Sequence, residues 1–158
     1  MSRELTVNRI AGLAALALML AVTPACNKTD KPGQAEAVVL VTSVTVAGLS
    51  VASAASTDAT LTYTLNPRNP LATTFFHSVT LTSYSVTFSP AVVAPMSGAI
   101  STGYCDIGAS CAVTLTLVPN GSKPGAGTTV IASIDVEGKD VNDNPVNFSA
   151  TVPMTFLP

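Results

Sequence analysis

The chain has 158 residues, with seven basic and nine acidic side chains, one histidine and no tryptophan. A net charge of −2 without a basic cluster excludes nucleic acid and an anionic membrane surface as electrostatically attractive partners. The length supports one domain, and with five Phe and three Tyr its core must be mostly aliphatic.

The first segment is Met1 to Cys26, MSRELTVNRIAGLAALALMLAVTPAC. Arg3 and Arg9 make a positive start offset only by Glu4, and Ile10 to Val22 is an uncharged apolar run. The run is shorter than the ~20 residues a spanning helix needs, so the segment reads as a secretory signal. Small and turn-forming residues follow at Thr23, Pro24 and Ala25, and then comes Cys26. Apolar run, small residue, cysteine resembles the lipobox of bacterial lipoproteins, although Thr23 stands where that pattern favours Leu and Pro24 is uncommon in the next place. The resemblance implies lipidation of Cys26, removal of residues 1–25 and attachment to the bacterial cell envelope. Asn27, directly after the cysteine, implies by the same likeness the outer membrane. Two or more acyl chains make a stable anchor where one is marginal. Ordinary cleavage after Ala25 is the alternative, leaving Cys26 a spare thiol. Either cut removes two of the seven basic and one of the nine acidic residues, leaving five and eight. Residues 26–37, which include NKTDKPGQAEA, are polar and read as a flexible tether.

From residue 38 to 158 the hydrophobic period is two. VVLVTSVTV places Val38, Leu40, Val44 and Val46 on one face, and a short strand at Leu49 and Val51 is expected to follow. ATLTYTL sets Ala59, Leu61, Tyr63 and Leu65 against Thr60, Thr62 and Thr64, and NPRNP, with two prolines, is expected to be a turn. SVTLTSYSVTF is a central strand whose phase slips between Leu81 and Tyr84, predicting a bulge near Ser83. After the loop SPAVVAPMSG comes a short run from Ala99 to Tyr104. Val113, Leu115 and Leu117 then face inward, as do Val130, Ala132, Ile134 and Val136. The last strand presents Val146, Phe148, Ala150, Val152 and Met154, and EGKDVNDNP joins it to the one before. About seven strands with regular turn signals predict an all-β fold, a single antiparallel β-sandwich.

SVTLTSYSVTF and IDVEGKDVNDNPVNFSATV resemble a central strand and the closing hairpin of immunoglobulin-like and fibronectin type III-like domains of bacterial surface proteins. The resemblance spans Val38 to Phe156 and implies a scaffold whose loops carry function. The antibody signature is absent, because there is no Trp and Cys105 and Cys111 are too close in sequence to bridge sheets.

Those two cysteines, in a chain that leaves the reducing cytosol, predict a local disulfide that staples one loop. Zinc would need further ligands, and only His77 and Cys26 remain. His77, beside Phe75 and Phe76, is expected to be structural, since no Ser–His–Asp arrangement accompanies it. The cluster Asp140, Asn142, Asp143, Asn144 resembles the calcium-linker motif of cadherins, with Asp135 and Glu137 as further oxygen donors. The competing reading is an Asx-rich hairpin turn. No catalytic constellation, resident metal or cofactor is expected, and the chain is not read as an enzyme. Two functions follow. One is a membrane-anchored structural or interaction module for another envelope protein or surface polymer. The other is a small-ligand or calcium-binding protein using the Asp140 to Asn144 turn.

Overall fold

The computed structural model describes residues 37–68, 78–101 and 104–158. Seven strands run in chain order: β1 (Ala37–Ala47), β2 (Thr57–Pro67), β3 (Val79–Ser89), β4 (Met96–Ala99), β5 (Ser110–Val118), β6 (Thr129–Asp140) and β7 (Pro145–Thr155). They form two antiparallel sheets, β1-β2-β5 and β4-β3-β6-β7, so the chain crosses between sheets after β2, β4 and β5. The sheets enclose one apolar core, giving a β-sandwich.

Strict alternation explains most of that core. Ala59, Leu61, Tyr63 and Leu65 of β2 are buried while Thr60, Thr62 and Thr64 turn outward. Val113, Leu115 and Leu117 of β5, and Val130, Ala132, Ile134 and Val136 of β6, are likewise buried. Each such Val, Leu or Ile contributes about 1.5–3 kcal/mol through burial. On β7 only Val146 and Met154 are fully buried, and Phe148, Ala150 and Val152 are half-buried because the strand lies at a sheet edge. Phe148 nevertheless reaches across the sandwich to Tyr63, with ring centroids 5.8 Å apart.

The bulge expected in β3 is present. Its register against β6 passes from Leu81↔Gly138 to Ser83↔Glu137, leaving Thr82 unpaired on that side. Gly138 is required there, since a Cβ would stand 2.6 Å from the Thr80 carbonyl oxygen.

Four expectations are corrected. In β1 a second bulge, between Val41 and Ser43, swaps the faces. Ala37 and Val39 point inward before it, Val44 and Val46 after it, and Val38 and Leu40 are 44% and 53% exposed. Both faces of this strand carry Val or Leu, so periodicity alone cannot locate the slip. β4 lies at Met96–Ala99, covering the end of the expected loop SPAVVAPMSG and only the first residue of the run expected from Ala99 to Tyr104, because pairing with β3 recruits it: Ser83↔Ala99, Tyr84↔Gly98, Ser85↔Ser97 and Val86↔Met96. Asn66 and Pro67 extend β2 opposite Val38 and Ala37, as proline is tolerated at a strand end. Leu49 and Val51 form no strand; Ser50 between them makes one parallel bridge to Leu157 of the C-terminal tail. Lys123 secures that passage, donating from Nζ to the carbonyls of Ser50 at 2.7 Å and Ser53 at 3.3 Å.

Candidate interaction surfaces

The turn between β6 and β7 lies at the pole where β1 begins, since Asp140 is paired with Val79 at the start of β3. Asp140 is only 6% exposed. Its Oδ1 accepts the main-chain N–H groups of Asn142 at 2.8 Å and Asn144 at 2.9 Å, and its Oδ2 accepts the Asn144 side-chain amide at 3.0 Å. Asp143 takes a left-handed conformation, φ 60°, which Asp tolerates better than most residues. This is the Asx-rich turn anticipated from sequence: one carboxylate satisfies the donors of the loop it begins. Lys139 donates to Asp143 at 2.6 Å, and that hydrogen bond and charge raise the lysine pKa. Asp135 and Glu137 do not join Asp140. They point outward from β6, whereas Asp140, an odd number of residues further on, turns inward. Among the described residues no three His, Cys, Asp or Glu side chains converge as a metal site.

Cys105 and Cys111 are disulfide-bonded, with Cα atoms 6.0 Å apart. The bond does more than close a loop. Cys105 exchanges main-chain hydrogen bonds with Val79 of β3, at 2.9 and 3.0 Å, while Cys111 lies in β5 opposite Tyr63 of β2. The short loop is itself the crossover between sheets, so this pair, close as it is in sequence, ties the two sheets together. Gly108 within the loop also donates to the Leu65 carbonyl at 2.8 Å. Spacing alone could not reveal this, because it depends on Cys105 pairing beside β3.

The four sheet edges differ in what they offer another chain. An edge strand exposes unpaired N–H and C=O groups unless something blocks it. On one side of the sandwich lie β4 and β5. β4 has only four residues, and β5 is covered where the Tyr84 hydroxyl, from the opposite sheet, donates to the Thr116 carbonyl at 3.0 Å. Burial raises the Tyr84 pKa above the usual 10, the Thr116 bond opposes this, and the Asp58 charge adds to the rise. On the other side, β7 carries Pro145 and Pro153, which have no N–H to donate. β1 has none of these devices. It is eleven residues long, AVVLVTSVTVA, without proline or charge, and among the described residues its main chain pairs only with β2.

The outer face of the larger sheet is hydrophilic. In register, Ser97, Ser85, Asp135 and Ser149 form one row, and Ala99, Ser83, Glu137 and Asn147 the next. Ser83 donates to Glu137 at 2.9 Å. Shallow depressions of about 440 and 340 Å³ flank β6 and share Glu137.

Cys26, Phe75, Phe76 and His77, all named from sequence, lie outside the described residues. Compared with known protein families, curated proteins and solved structures, the chain matches none.

Proposed function

We propose that the chain is a lipid-anchored envelope protein whose β-sandwich serves as an interaction module for another envelope component. The leader ending at Cys26 supports the anchor. The observation that carries the module is the edge of β1, unpaired among the described residues, which stands directly after the tether sequence. An uncharged, β-branched edge can accept an extended strand, with main-chain hydrogen bonds giving affinity and alternate side chains giving specificity. That chemistry favours a polypeptide partner over a surface polymer. The strand partition supports the fibronectin type III-like side of the resemblance. The fourth strand pairs with the third in the larger sheet, whereas the constant-type immunoglobulin arrangement places it with the strands of the other sheet.

Intact mass of the protein recovered from a bacterial membrane fraction tests the reading. The expected mass is that of residues 26–158 with acyl chains, less two hydrogens for the disulfide. An unmodified chain in the soluble fraction would overturn the anchor and make a diffusible binding protein the leading account.

A further inference from the structure

We propose that the strand accepted by β1 is β1 of a second copy of this chain. The inference rests on the interaction-module reading and names its partner. An antiparallel edge is self-complementary, so two identical strands related by a two-fold axis can continue one sheet across both molecules. Most chains resist this with charges, prolines or short edges. Here β4 has only four residues, β7 carries two prolines and Tyr84 takes one carbonyl of β5, whereas among the described residues nothing pairs with or blocks the outer edge of β1.

The register follows from the side chains. An axis through Val39 sets Val38 of each copy opposite Leu40 of the other on the outer face. These are the two large apolar residues of β1 that the single chain leaves exposed. On the inner face Ala37 falls opposite Val41, so both faces match in kind. No other axis in the strand pairs both exposed residues with each other, and the bulge after Val41 bounds the ladder on its C-terminal side. No charged side chain of β1 meets its copy, because the strand holds none. The pairing also brings the two Ala37 positions within roughly 13 Å, four residues of strand rise, so both tethers leave the same place. Confinement to one membrane raises the effective concentration, so a short ladder suffices.

The test is disulfide trapping in the full chain, exported to an oxidising compartment, with two variants co-expressed in one cell. Directly opposed residues across an antiparallel pair meet the Cα separation a disulfide needs, and diagonal ones do not. Val38→Cys together with Leu40→Cys should therefore yield a covalent dimer on a non-reducing gel. Either variant alone, and Thr45→Cys beyond the bulge, should give only the background of the unaltered chain. Absence of the mixed dimer, or an equal yield from Thr45→Cys, would overturn the pairing. The anchor is read separately: a membrane-bound lipidated chain lacking the mixed dimer refutes the pairing alone, and an unlipidated soluble chain refutes the anchor alone.

Discussion

The two sides of the sandwich are finished differently. On the β4 and β5 side, the Tyr84 hydroxyl crosses from one sheet to an edge carbonyl of the other, and the Cys105–Cys111 bond secures the crossover between the sheets. Where β1 and β7 meet, β7 is blunted by Pro145 and Pro153, and among the described residues nothing blunts β1. Both sides bury the same kind of aliphatic core, so packing does not distinguish them. What distinguishes them, among the described residues, is the main-chain hydrogen-bonding capacity left along β1, directly after the residues expected from sequence to form a tether.

The largest expected effect comes from undoing the sealed side. Replacing Cys105 and Cys111 with Ser should cost about 2 kcal/mol, the loop-entropy value for so short a loop, read as a lower urea midpoint. An unchanged midpoint would mean that main-chain pairing alone holds the crossover. Gly98→Ala should cost a comparable amount, about 1–3 kcal/mol, as an overpacked site. Its new Cβ would stand 2.5 Å from Cε1 of Tyr84, so the ring must move.

Tyr84→Phe should cost about 1 kcal/mol, the net worth of one hydrogen bond. It should also change the alkaline limb of stability. The folded-state pKa values of Tyr63 and Tyr84 are both raised from 10, mainly by burial. Their contribution is complete below pH 10, where both states hold the proton, and is lost as pH rises through the folded values. Denaturant midpoints measured from pH 9 to 11 should fall, and fall less steeply in Tyr84→Phe. A slope equal to that of the unaltered chain would remove Tyr84 from the account.

The open side should behave oppositely. Leu40→Lys adds a charge to an exposed position and should change monomer stability by no more than about 0.5 kcal/mol, while abolishing association through β1. Calcium should leave the melting temperature unchanged, since Asp140 already accepts the turn's own donors. A calcium-dependent rise removed by Asp140→Asn would instead revive the turn as an ion site.

How much was legible in the sequence depended on contrast between faces. ATLTYTL and TVIASIDV set apolar against polar residues, so their buried positions follow directly, and the slip in TSYSV marks its own bulge. β1 has Val or Leu on both faces, so alternation puts Val38 and Leu40 on the inward face where the structure puts Ala37 and Val39. β4 was hidden because Pro95, Ser97 and Gly98 are turn signals that pairing with β3 overrides. The Asp140 turn was legible as local side-chain chemistry. The edges of the two sheets were not. Which strands are edges, what Tyr84 reaches and what the disulfide joins all depend on strand order, and alternation does not encode strand order.

The central claim is that β1 is the working edge. Hydrogen–deuterium exchange of the protein in its native membranes, compared with the same chain dispersed in detergent at high dilution, tests it most directly. The account predicts that amides of β1 gain protection in the membrane while those of β4, β5 and β7 are unchanged. Equal exchange of β1 in both states, or protection gained at β4 or β5 instead, would contradict it.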